Sequence, residues 1–184
     1  MADRWPWRAI AVVVVCLAGA WLVRATDGPV RRPAVVVTVI DGDTIVVSLG
    51  ETQETVRLIG IDTPEAHRSE KLERQLARGW DEAIVLGLGR QAKTYLGRML
   101  GRRRVGIELD VEQRDRYGRL LAYVWLADDT LVNAELLRHG YARRLTIPPN
   151  LRYVDRFGEL EAEARESGRG LWASWPPVTS RETP

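Results

Sequence analysis

A chain of 184 residues with 45% apolar and 28% charged side chains has room for one domain with a real core plus a short extension, and its composition excludes a disordered polymer. The net charge of +2 is uneven: residues 1–33 hold five arginines against two aspartates and the remainder is close to neutral, which excludes a generally basic nucleic-acid binder and leaves only local patches such as Arg102, Arg103 and Arg104, or Arg143 and Arg144. The single cysteine, Cys16, lies in the apolar N-terminal run, so the globular part has no disulfide and no cysteine metal site.

Residues 9–23 are uncharged and follow Arg4 and Arg8. As a helix this stretch covers about 22 Å, short of the roughly 20 residues a comfortable span requires. A basic start, an apolar run of this length and small residues after it describe a signal peptide. Trp5, Trp7 and Trp21 also sit where interfacial aromatics would hold an uncleaved membrane anchor. The expected organisation is a signal peptide or anchor over 1–25, a linker over 26–33, a domain over 34–175 and a flexible tail over 176–184. The expected location is outside the cytoplasm: secreted, periplasmic or membrane-anchored.

Residues 35–40 are β-branched and predict a strand; Asp41, Gly42 and Asp43 turn it into a second at 44–48. A third is expected over 55–61, with Arg57 on the face opposite Leu58. Pro64 ends it, because proline cannot continue a central ladder. Residues 66–88 begin polar and become helix-like, and 91–100 carry an apolar stripe of Ala92, Tyr95, Leu96 and Met99. Strands at 105–111 and 120–126 and helices at 130–139 and 151–167 follow, with Trp172 and Trp175 packing back on the body. Five strands, a helix between the third and fourth, and helices at the end predict a small closed or partly open β-barrel with helices.

Three segments carry chemistry. The first is Asp41, Gly42, Asp43, Thr44. The second runs from Arg57 to Glu65 as Arg-Leu-Ile-Gly-Ile-Asp-Thr-Pro-Glu, and the third from Asp115 to Tyr123 as Asp-Arg-Tyr-Gly-Arg-Leu-Leu-Ala-Tyr. Asp43 and Asp62 stand at strand ends joined by a hairpin and are able to meet in space. Oxygen ligands without nearby cysteine or histidine suit Ca²⁺ or Mg²⁺ rather than Zn²⁺. Glu65 lies just beyond Asp62, close enough to activate a water beside the metal. Arg57 and Arg119 offer planar forks that match phosphate oxygens. A cation, guanidinium clamps and a carboxylate base form a toolkit for phosphodiester hydrolysis. Each segment alone reads as an ordinary turn, helix start or surface strand; the ordered set of three is what carries the inference.

That ordered set resembles the staphylococcal nuclease (thermonuclease) family. Further matches are Leu131, Val132 and Asn133, Gly140, Tyr141 and Ala142, and the closing Gly170, Leu171 and Trp172. The resemblance covers about residues 35–174 and implies an OB-fold five-stranded barrel with three packed helices. It implies Asp43, Asp62 and the Thr63 main-chain carbonyl as Ca²⁺ ligands, with Asp41 acting nearby through water. It implies Glu65 as general base, Arg57 and Arg119 as phosphate-binding, transition-state-stabilising groups, and Arg116 and Tyr117 beside Arg119 near the substrate. The expected function is a calcium-dependent nuclease acting on DNA and/or RNA. The alternative is a catalytically weak binding module on the same barrel. Two departures stand out. The family's type member holds the substrate base with two tyrosines where this chain has 145–150 without any. The loop after Glu65 is longer and carries His67, Arg68, Lys71, Arg74, Arg78 and Trp80, which reads either as a further nucleic-acid contact or as a solvated charged helix.

Overall fold

The computed structural model describes residues 29–77, 79 and 81–173. The predicted leader or anchor at 1–25, linker residues 26–28, Arg78, Trp80, Trp175 and the tail at 176–184 lie outside the described residues. Among the described residues no helix is long and apolar enough to cross a membrane.

The elements run β1 (Arg31–Asp41), β2 (Thr44–Leu49), β3 (Thr52–Leu58), β4 (Ile61–Asp62), α1 (Glu70–Leu76), α2 (Glu82–Leu100), β5 (Arg104–Arg114), β6 (Leu120–Trp125), α3 (Val132–Arg138), β7 (Arg143–Arg144), α4 (Val154–Glu166) and a 3₁₀ turn at Gly170–Ala173. Five strands close a barrel in the order β1-β2-β3-β6-β5, with β5 returning to β1. All pairs are antiparallel except β3 with β6, which is parallel. This is the predicted OB-type barrel.

Alternation builds the interior. Val36, Ile45, Val47, Val56, Leu58, Ile107, Ala122 and Val124 are buried, and enclosing a side chain of the larger kind is worth about 1.5–3 kcal/mol. Helix α2 closes one side with Ala92, Leu96 and Leu100, α3 adds Leu136 and Leu137, and α4 adds Phe157. Asn133 on α3 is fully buried; it donates to the Ile59 carbonyl at 2.9 Å and accepts from the Val124 amide at 3.0 Å. That side chain ties the helix to the turn that follows β3, which leads into the site.

Local chemistry accounts for the differences from the sequence reading. Strand β1 begins at Arg31, so residues 31–33 are strand rather than linker. Pro33 is tolerated because this part of β1 pairs on one side only, with β5. Strand β3 ends at Leu58 instead of continuing to Ile61. Gly60 has φ +78°, a backbone region open to glycine, and an added Cβ would meet the Phe157 ring at 2.5 Å. Helix α2 runs unbroken from Glu82 to Leu100, joining the helix-like end of 66–88 to the predicted 91–100; Asp81 caps the Ile84 amide at 3.0 Å, and the low helix propensity of Gly87 and Gly89 does not break it. A short helix, α1, joins the three expected; Ser69 caps it at the Leu72 amide and Leu72 is buried against the body.

Candidate active site

The turn between β1 and β2 presents Asp41 and Asp43. In the β2–β3 ladder Thr44 lies opposite Arg57, and the Leu58 amide donates to the Asp43 carbonyl at 2.9 Å. That register sets the Arg57 guanidinium against Asp43: Nη1 reaches Asp43 Oδ2 at 2.8 Å and Nη2 reaches Asp62 Oδ1 at 3.4 Å. The fork is braced by the carbonyls of Leu58 at 3.0 Å and Ile61 at 3.2 Å. Asp43 Oδ2 also accepts from the Thr63 amide at 3.1 Å and its hydroxyl at 3.0 Å, and Thr44 donates to Oδ1 at 3.0 Å. Two acidic groups separated by hairpin and turn thus converge on one guanidinium.

Lys71 on α1 joins the same group. Its ammonium lies 2.7 Å from Asp62 Oδ1, 2.6 Å from the Thr63 carbonyl and 3.1 Å from Glu65 Oε1. Arg143 on β7 approaches Asp62 Oδ2 at 3.7 Å. Glu65, Asp41 and His67 bring one ligand atom each within 4.8 Å of one another. Glu65 is set by a close helix approach: a Cβ on Gly89 of α2 would stand 2.1 Å from the Glu65 carbonyl oxygen.

The electrostatics follow from this crowding. Burial alone would push Asp43 upward, but Arg57 first, then Lys71 and the hydrogen bonds from Thr63 and Thr44, hold its carboxyl below the ordinary value. Asp41 moves the other way: burial raises it, the Gly42 amide only partly opposes this, and the charges of Asp43 and Glu65 raise it further. Lys71 is disfavoured as an ion by burial, yet Asp62 and Asp43 outweigh that and keep it protonated beyond its ordinary range. Carboxylate oxygens gathered this closely are the kind of donor a hard cation takes.

Arg57 also lines a cleft of about 530 Å³ whose other walls include Arg116, Tyr117, Arg119, Leu145 and Ile147. The parallel β3–β6 pairing sets Val56 against Leu120 and Arg57 against Leu121, which brings the end of the third segment beside the second. Asp115 fixes Arg119: its Oδ1 accepts the Arg119 amide at 3.0 Å and its Oδ2 accepts Nε at 2.7 Å. Tyr117 stands exposed with Arg116 and Arg119 over its ring at 4.7 and 5.5 Å.

Residues 55–174 match the family described as "Staphylococcal nuclease homologue". The chain is 34% identical over 139 residues to the thermonuclease of Staphylococcus hyicus, covering 76% of this chain and 75% of that one. It is 33% identical over 171 residues to the thermonuclease of Staphylococcus intermedius, covering 89% and 93%.

The chain belongs to the staphylococcal nuclease family.

Endonuclease YncB of Bacillus subtilis strain 168 is a further relative, 33% identical over 144 residues that cover 77% of this chain and 62% of that protein. Against this family frame the structure sorts the predicted residues into two groups. Asp41, Asp43, Arg57, Asp62, Thr63 and Glu65 gather in one cluster; Arg116, Tyr117 and Arg119 stand along the cleft that Arg57 shares. Lys71 is drawn into the cluster rather than facing out as one more loop charge. Asp115 is an anchoring residue without a role in the sequence reading; an aspartate opening a turn that ends at Gly118 is its signal, since such a side chain accepts the amides of the turn, here Tyr117 and Arg119. The cleft wall where the type member of this nuclease family has tyrosines is aliphatic here, at Leu145 and Ile147.

Proposed function

We propose that this family member is an exported, calcium-dependent nuclease that cleaves phosphodiester bonds of DNA and/or RNA. The observation that carries the reading is the double position of Arg57: its guanidinium touches Asp43 and Asp62, and the same residue lines the cleft with Arg119. An ester seated there lies between two guanidinium forks and next to an oxygen-rich cation site.

The donor set fits a hard divalent ion: the carboxylates of Asp43 and Asp62, the Thr63 carbonyl and, through water, Asp41, all oxygen. When bound, Ca²⁺ supplies Lewis-acid polarisation of a non-bridging phosphate oxygen. Glu65 orients the attacking water and takes its proton as the water oxygen bonds to phosphorus. The opposite ester bond breaks and its oxygen departs with the leaving strand. Arg57 and Arg119 neutralise the charge that grows on the phosphorus-bound oxygens, with Arg119 pre-aimed by Asp115. Arg116 and Tyr117 contact the adjoining nucleotide, and the aliphatic wall replaces aromatic stacking at 145–150. The run at 9–23 directs the chain out of the cytoplasm as a cleaved signal or an anchor, ahead of the nuclease domain whose first strand begins at Arg31; mass spectrometry of the native N-terminus distinguishes the two.

The test is plasmid degradation by the purified protein with Ca²⁺ against EGTA. Glu65→Ala and Arg119→Ala each lower turnover by about 10²–10³ with an unchanged circular dichroism spectrum. Near-normal activity of either folded variant, or full activity in EGTA, rejects the assignment.

A further inference from the structure

We propose that Lys71 is the resident cation of this site, and that a divalent ion loads only by exchange with its ammonium. This rests on the reading that Asp62 and Thr63 hold the metal. The Lys71 ammonium meets a carboxylate, a main-chain carbonyl and a second carboxylate at 2.7, 2.6 and 3.1 Å. Two of those oxygens belong to the proposed metal ligands and the third to the proposed base. A hard cation takes the same kind of oxygen at about 2.3–2.6 Å, so ion and ammonium cannot occupy that space together.

The chain's use of basic residues sharpens the point. Lysine stands at only two of the 184 positions, 71 and 93, and arginine fills the other basic positions apart from the histidines. A guanidinium is a flat fork, whereas an ammonium is a compact point charge with three rotatable donors, suited to three converging oxygens. Helix α1 delivers it: Ser69 caps the helix and buried Leu72 fixes the turn that carries Lys71. With that anchor in place, exchange needs only a rotation of the lysine's four-carbon stem. The contact therefore does two things. It keeps Asp62, Thr63 and Glu65 assembled without a divalent ion, and it occupies the base until calcium arrives.

Two measurements on the full chain test this. The first is Ca²⁺ titration calorimetry on wild type, Lys71→Met and Asp62→Asn. A competitor that fills the site nine-tenths of the time weakens apparent affinity about tenfold, so Lys71→Met binds Ca²⁺ about tenfold more tightly than wild type. The second needs no variant: acetylation of Lys71 by acetic anhydride, read by mass spectrometry against Lys93 as internal reference. The Lys71 to Lys93 rate ratio rises by about tenfold on saturation with Ca²⁺, from the same occupancy. If Asp62→Asn abolishes Ca²⁺ binding while Lys71→Met matches wild type and the labelling ratio does not respond, the exchange is overturned and the metal assignment stands. If Asp62→Asn binds Ca²⁺ as wild type does, the metal assignment fails and the exchange falls with it.

Discussion

Replacing Arg57 with methionine separates two roles of that residue. The substitution keeps most of the aliphatic stem and removes the guanidinium that joins Asp43 at 2.8 Å to Asp62 at 3.4 Å. Asp43 is buried, and its arginine partner is only 14% exposed. Stripping one partner from such a pair costs about 3–5 kcal/mol, since the remaining charge has lost its counterion. At about 3 °C per kcal/mol for a domain of this size, Tm in EGTA falls by roughly 10–15 °C. Under the proposed metal assignment, calcium offers the missing charge to the same two carboxylates. At a concentration about 100-fold above its dissociation constant it stabilises by about 2.7 kcal/mol, so the variant regains roughly 8 °C. Activity does not follow, because the group facing the ester is gone, and turnover stays about 10²–10³ below wild type. Thermal melts with EGTA and with Ca²⁺, paired with plasmid degradation, read both quantities. A Tm in EGTA within about 2 °C of wild type would falsify the ion-pair argument, and recovery of turnover with calcium would remove Arg57 from the chemistry.

Other substitutions probe the supports. Gly89→Ala places a methyl 2.1 Å from the Glu65 carbonyl oxygen; the Glu65 loop shifts, and turnover falls by about 10²-fold although alanine is the better helix former, as steady-state kinetics and a crystal structure of the variant would register. Asp115→Ala frees the Arg119 side chain while leaving its charge. The expected outcome is turnover down by about 10- to 100-fold with Tm moved by no more than about 3 °C, and unchanged turnover would mean that Arg119 needs no anchor. Asp41→Asn addresses a carboxylate that burial forces upward. Its folded-state pKa lies above the ordinary 3.8, so the folded protein holds the proton more tightly than the unfolded chain and stability declines as pH rises through that window. The asparagine variant escapes the decline: its metal-free stability relative to wild type increases as pH rises above about 4 and levels off once the folded-state carboxyl has ionised, while its Ca²⁺ affinity drops. Denaturant titrations in EGTA across that range show the trend or its absence.

Much of the domain was legible along the chain. Alternation located the barrel strands, turn residues separated them, and three ordered segments named the acids and arginines that now stand in or beside one cleft. The differences are local and have local causes. At β3 the alternation continues through Gly60, whose positive φ ends the strand. At α2 the glycines divide in the sequence pattern what is one continuous helix started by Asp81.

What the linear pattern determined is chemistry: which side chains are acids, which are planar cations, and in what order they arrive. Position came only with closure of the barrel. The parallel pairing of β3 with β6 joins segments some sixty residues apart, and Arg57 meets Asp43 through a ladder register that no short window contains. In the sequence Lys71 reads equally as one more charge on a solvated helix, because nothing near it distinguishes an ammonium facing water from one facing three oxygens. The packing of Leu72 against the body makes that choice, and contacts between distant residues are what local propensity leaves out.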